Sequence, residues 1–159
     1  MARGAASSGS EGETQVIHIL DTDVITIAEA RDSPEYLHMH PRILALSRED
    51  PLVTTIVTYE EQTRGWLAYA AKSRLTAHQI VAYARLKRHL QAYLRIEVLE
   101  FDEPAGREFD RLRSLKLRVG TADLKIAAIA ISKNALLLSR NLSDFKKVPD
   151  LRVEDWTRP

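Results

Sequence analysis

The stretch "VIHILDTDVIT", Val16 to Thr26, decides how the rest of the chain is read. An apolar run with the length of a buried strand ends in two acids one residue apart, Asp21 and Asp23. An apolar-rich segment then resumes, with Val24, Ile25, Ile27 and Ala28 spaced as in a helix. Two chemistries use carboxylates at such a strand-to-helix junction. In one, the first Asp of an Asp-x-Asp pair attacks phosphorus and the second acts as general acid. In the other, an Asp at the strand end is one ligand of a divalent cation. The fragment alone fits both.

Length and composition narrow the setting. A chain of 159 residues suffices for one domain with a real core and is too short for two ordinary ones. The apolar share of 45% excludes disorder across the whole chain. Cysteine is absent, which removes disulfides, thiolate metal sites and cysteine nucleophiles and fits a reducing compartment. No apolar run approaches the roughly 20 residues needed to span a bilayer. The opening "MARGAASSGSEGET" lacks the apolar core of a signal peptide, so residues 1–15 are expected to be a flexible tail ahead of a domain over 16–159. A cytoplasmic protein without membrane contact is expected. A net charge of +1 argues neither for nor against nucleic acid. Two segments are locally basic and free of acids, "RLKRHLQAYLR" (Arg85–Arg95) and "RLRSLKLR" (Arg111–Arg118). Such stripes are usually solvated helix faces, but they also attract phosphate backbones.

Working outward, strands and helices alternate. Ser33 and Pro34 open a helix that Pro41 is expected to break or kink. The β-branched run "LVTTIVT" (52–58) predicts a second strand, followed by a helix from Tyr59 with Trp66, Leu67 and Ala70 towards the core. Thr76 is expected to cap a helix reaching about Tyr93, with Ile80, Tyr83, Ala84 and Leu90 as its buried stripe. "IEVLEF" (96–101) is a third strand, half exposed. A helix over 103–117 opens with acids and closes with cations, as its dipole favours. "TADLKIAAIAISKNA" (121–135) is the most apolar helix, with Thr121 as its cap. "LLLS" and "LRVEDW" are the last strands. The pattern predicts an α/β fold of three layers, α/β/α, around a mostly parallel sheet. Ligands collect beyond the carboxyl ends of such strands.

Four acids fall at those ends: Asp21 after the first strand, Glu61 in the expected first turn of the next helix, Asp123 beginning the apolar helix, and Asp144 beyond the fourth strand. Each alone is explained by a helix N-terminus, a cap or an Asx turn. Together they need more. Like charges about 4 Å apart repel by roughly 4 kcal/mol at an effective dielectric of 20, so their convergence calls for a cation or a proton. All-oxygen ligands select Mg²⁺ or Mn²⁺. Zinc does not fit, because His18, His38, His40, His78 and His89 form no zinc-binding pattern and are read as structural. Asp123, opening the most apolar helix, is expected to be the least hydrated of the four.

The segments "LDTDVIT", "TTIVTYEEQTRGW", "GTADLKIAAIA" and "LLLSRNLSDFKKVPDLRVEDW" resemble the successive motifs of PIN-domain nucleases, specifically toxins of the VapC type, over nearly the whole chain from Val16 to Trp156. By position, Asp21, Glu61, Asp123 and Asp144 match that family's acidic metal-binding quartet. Glu60 is the neighbouring slot, set aside because the family's Thr-x-x-Glu runs from Thr58 to Glu61. Asn141 matches the family's site-steadying Asn, Ser139 stands where Thr is frequent, and Asp23 and Thr22 are supporting residues. The resemblance implies metal-dependent endoribonuclease activity, a homodimer, and a cognate antitoxin. Arg85, Lys87, Arg88, Arg111 and Arg113 are then the expected RNA contacts. Two other readings stand beside it: a small-molecule phosphohydrolase with Asp21 as nucleophile, and a non-catalytic PIN-like RNA-binding module. The first needs a later lysine and a paired acidic motif, as in haloacid dehalogenases. Here the later acids come instead as "GTADLK" and "NLSDF".

Overall fold

The computed structural model describes residues 15–159, so nearly all of the expected N-terminal tail lies outside the described residues. Twelve elements follow one another: β1 (His18–Leu20), α1 (Thr22–Glu29), α2 (Pro34–Leu44), β2 (Leu52–Thr55), α3 (Ile56–Lys72), α4 (Thr76–Tyr93), β3 (Glu97–Leu99), α5 (Glu103–Ser114), α6 (Thr121–Ser132), β4 (Leu136–Leu138), α7 (Leu142–Phe145) and β5 (Arg152–Glu154). The five strands pair in parallel in the order β3-β2-β1-β4-β5. The α/β architecture is the expected one.

Alternation along the strands builds the three layers. Ile19, Val53 and Leu137 point to one face, where α6 supplies Leu124, Ile126, Ala127, Ala128, Ile129 and Ala130, all buried. Leu20 and Leu138 point to the other face, against Val24 and Ile25 of α1, Met39 of α2, Tyr93 of α4 and Trp156. Helix α6 is apolar on all sides because it is enclosed by the sheet and α5, as the sequence suggested. The strand order reverses beside β1: the chain moves outward through β2 and β3, then returns to place β4 on β1's other side. That reversal is the crevice where parallel sheets bind ligands.

Several boundaries depart from the sequence reading. Strand β2 stops at Thr55, and "IVT" begins α3 instead of ending the strand. The buried Thr55 hydroxyl accepts from the Thr58 N–H at 3.1 Å and thereby caps the helix. Helix α2 runs through Pro41 to Leu44, and the Ala45 N–H donates to the Pro41 carbonyl at 3.1 Å. The cap residues of α4 and α6 are Leu75 and Gly120, not Thr76 and Thr121, and neither makes a side-chain cap bond. Helix α5 ends at Ser114, with Lys116 at φ 53°, and α6 ends at Ser132, with Asn134 at φ 51°; both reversals stop the helix where continued turns were expected.

The α4 stripe is inverted. Ile80, Tyr83 and Leu90 are 65%, 63% and 51% exposed, whereas Ala82, His89 and Tyr93 face inward. Leu67 of α3 is exposed as well, with Trp66 and Ala70 half-buried. The inward face is held by polar aromatics: His89 Nε2 lies 2.8 Å from Thr63 Oγ1, and the Tyr93 hydroxyl donates to Gln62 at 2.7 Å. Burial without a charged partner lowers the His89 pKa, so the ring is held in its neutral form.

The revised cap assignments are separable by experiment. Thr55→Ala is expected to lower stability by about 1–2 kcal/mol in urea melts, whereas Thr76→Ala, at an exposed first helical position, changes it by less than about 0.5 kcal/mol. Equal losses would contradict the capping roles.

Candidate active site

Asp21 sits at the reversal point. It follows β1, caps α1, and is 5% exposed. The Thr22 N–H donates to its Oδ1 at 2.7 Å, and the Ser139 hydroxyl, one residue past β4, donates to its Oδ2 at 2.6 Å. Thr54 of β2 anchors the strand end below, its hydroxyl donating to the Leu20 carbonyl at 3.0 Å. One carboxylate therefore joins β1, β4 and α1. Desolvation outweighs its two hydrogen bonds and, with repulsion from Asp23 and Asp123, pushes its pKa up to about 7. Asp21, not Asp123, is the least hydrated of the quartet.

Asp23 lies in the first turn of α1. Its Oδ2 accepts from the Arg140 N–H at 3.3 Å, while its Oδ1 is buried without a partner among the described residues. Burial raises its pKa. Glu61 reaches the same edge from the second turn of α3, because the helix begins earlier than expected. The Thr22 hydroxyl donates to Glu61 Oε1 at 2.8 Å. Asp123 lies in the first turn of α6, half-buried, its pKa raised by desolvation and then by Glu61, Asp144 and Asp23. Asp144 lies in α7, a short helix the sequence did not reveal. Asn141 bridges the last two acids, its Nδ2 donating to Asp123 Oδ2 at 3.4 Å and to Asp144 Oδ2 at 3.3 Å. Lys147 lowers the Asp144 pKa from 2.6 Å away.

The structure thus brings Asp21, Asp23, Glu61, Asp123 and Asp144 to one edge with Thr22, Ser139 and Asn141 among them. Their spacing is open. Among the described residues no three His, Asp or Glu side chains are gathered closely enough to hold an ion as they stand. Thr22, Asn141 and Lys147 each donate to a carboxylate of the set. The donor set still suits a hard cation: it is all oxygen, its most buried member resists ionisation, and one buried carboxylate oxygen, on Asp23, has no donor among the described residues.

The cations singled out in the sequence lie elsewhere. Arg85 stacks over Trp66 at 5.4 Å, Lys87 lines a groove between α3 and α4, and Arg88 acts on Glu29. Arg111 is paired with Glu108 and Asp150, and Arg113 with Asp110. The two cations beside the acids, Arg140 and Lys147, were missed, although the three-residue spacing of Asp144 and Lys147 is a recognisable helical pairing. The histidines take no part in the acidic edge. His18 packs against Trp156 and His40 against Tyr36.

The PIN domain family model matches residues 18–151. This chain belongs to the PIN-domain family. It is 30% identical over 147 residues to Ribonuclease VapC1 of Haemophilus influenzae strain R2866, covering 90% of this chain and 100% of the relative. A shorter match, 35% over 66 residues, spans 39% of this chain and 50% of the tRNA(fMet)-specific endonuclease VapC of Salmonella typhimurium. The structure of VapBC-1 from nontypeable Haemophilus influenzae superposes with a TM-score of 0.68 at 26% identity, covering 90% of this chain and all of that one. The sequence resemblance to VapC-type PIN domains, and the fold it implied, are borne out.

The raised Asp21 pKa carries a sign that can be measured. A carboxyl whose folded pKa lies above its unfolded value stabilises the fold at low pH and loses that contribution as pH rises through the folded value. In EDTA, Asp21→Asn is therefore expected to match wild type near pH 4 and to gain a margin of a few kcal/mol by about pH 8. A variant less stable than wild type at pH 8 would contradict the strained-carboxylate account.

Proposed function

We propose that this protein is a Mg²⁺- or Mn²⁺-dependent endoribonuclease, the toxin of a type II toxin–antitoxin pair. One observation carries the reading: in a PIN-domain chain similar along its length to a VapC ribonuclease, the four acids that match the family's quartet by position lie along the sheet's carboxyl edge around the β1–β4 reversal, with Asp123 within electrostatic reach of Glu61 and Asp144. Asp21, Glu61, Asp123 and Asp144 are the residues that would hold the ion and form the catalytic platform. A bound divalent ion supplies a water of lowered pKa and offsets charge on the phosphodiester. Thr22 and Asn141 orient Glu61, Asp123 and Asp144 through the bonds described, and Ser139 orients Asp21. Asp23 adds charge beside Asp21. The phosphohydrolase reading is less well supported, because the later acids come as "GTADLK" and "NLSDF" and not as the paired acidic motif it needs, in a chain that the PIN domain model matches over residues 18–151.

For RNA, Arg85, Lys87 and Arg88 are the better phosphate contacts, since among the described residues none is in an ion pair, while Arg111 and Arg113 are neutralised by neighbouring acids. A cognate antitoxin is the partner that VapBC relatives support. Leu67, Ile80, Tyr83 and Leu90 form an exposed apolar surface suited to a protein partner, whether the antitoxin or a second copy of the chain. Residues 16–159 are read as one PIN domain. No helix among the described residues is long and apolar enough to cross a membrane.

The test is RNA cleavage by purified protein with and without metal. Cleavage is expected to require Mg²⁺ or Mn²⁺ and to stop in EDTA. Asp21→Asn should reduce it by at least about 100-fold, more than losing a residue that only orients a ligand. Persistent cleavage by metal-free wild type would overturn the mechanism. A trapped acyl-phosphate on Asp21 would transfer the assignment to the phosphohydrolase.

A further inference from the structure

Lys147 stands apart from the other charges at the acidic edge. Its Nζ donates to Asp144 Oδ1 at 2.6 Å and to the Arg118 carbonyl at 3.2 Å, just ahead of α6. Asp144 is the only one of the five acids with an ammonium or guanidinium partner among the described residues. Its other oxygen is taken by Asn141, which also reaches Asp123. Both Asp144 oxygens are therefore occupied by the protein itself. The ammonium also ties the α7 region to the loop before α6.

We propose that Lys147 is a built-in counter-cation that holds Asp144 in the metal-free site and competes with the divalent ion for it. The inference rests on the metal-site reading above. Lys147 is more than a surface charge because its partner is a proposed ligand, and because a dication and an ammonium cannot both take Asp144 Oδ1 without repulsion. Its consequence is regulatory: the protein restrains its own metal affinity, and loading with metal frees Lys147 from the carboxylate.

The test measures Mn²⁺ affinity by calorimetry on the full chain, free of RNA, with Lys147→Met and Lys147→Gln as neutral variants. Both are expected to bind Mn²⁺ more tightly, on the order of fivefold, the scale of a partly exposed ion pair. The gain should shrink between about 0.05 M and about 0.5 M salt. Lys147→Arg should retain wild-type affinity. In EDTA the neutral variants should melt slightly lower, and Mn²⁺ should raise their melting temperature more than it raises wild type's. Unchanged or weaker Mn²⁺ binding in both neutral variants, with Asp21→Asn losing it, would overturn the role of Lys147 and leave the metal site standing. A wild-type protein that binds no Mn²⁺ would remove both.

Discussion

The carboxylate of Asp21 is the constraint on which the site depends. It lies where the sheet reverses direction, and its two hydrogen bonds join the end of β1 to the start of α1 and the exit of β4. Burial there is unfavourable for the ionised form, as its raised pKa records. The fold can sustain such a position because the surrounding structure is over-determined. The parallel pairs His18↔Leu136, Ile19↔Leu137 and Leu20↔Leu138 set the register of β1 on β4. Helix α6 then packs its alanines and isoleucines beneath. A one-residue slip in that pairing would move Ser139 away from Asp21 and reverse the side chains facing each layer.

Around this fixed point the acids divide into two groups. Desolvation is the largest influence on Asp21, Asp23 and Asp123, and their pKa values all rise. Asp144, nearer solvent, has Lys147 and Asn141 and its pKa falls. Glu61 stands between the groups, hydrogen-bonded to Thr22 and close enough to raise Asp123. The site is charged unevenly, most strained at its buried end and most compensated at its exposed end. A hard cation has most to gain at the buried end, where desolvation of the carboxylate is strongest.

Much of this was legible in the sequence, for identifiable reasons. Alternating strand and helix patterns lead directly to a parallel sheet, and the position of each acid after a strand or at a helix start places it at one edge. The errors came where local chemistry was ambiguous. "LVTTIVT" is uniformly β-branched, so composition could not show that the Thr55 hydroxyl would start a helix inside it. Helix α4 offers two faces of helical spacing, one rich in aliphatic residues and one carrying His89 and Tyr93. Tertiary hydrogen bonds to Thr63 and Gln62 chose the second. Periodicity alone cannot see partners contributed by another helix.

That inversion links the site to the rest of the surface. Three consecutive residues of α3 hold it to both α1 and α4. Glu61 meets Thr22 at the acidic edge, Gln62 joins Tyr93 of α4 to Thr26 of α1, and Thr63 meets His89 of α4. Because α4 spends its polar aromatics on this inward network, its aliphatic side chains are left in solvent, next to Lys87. The same packing therefore both positions Glu61 and creates the exposed apolar surface. Substitutions that moved α4 to bury Ile80 and Leu90 would withdraw His89 and Tyr93 from α3 and loosen the support behind an acid of the site.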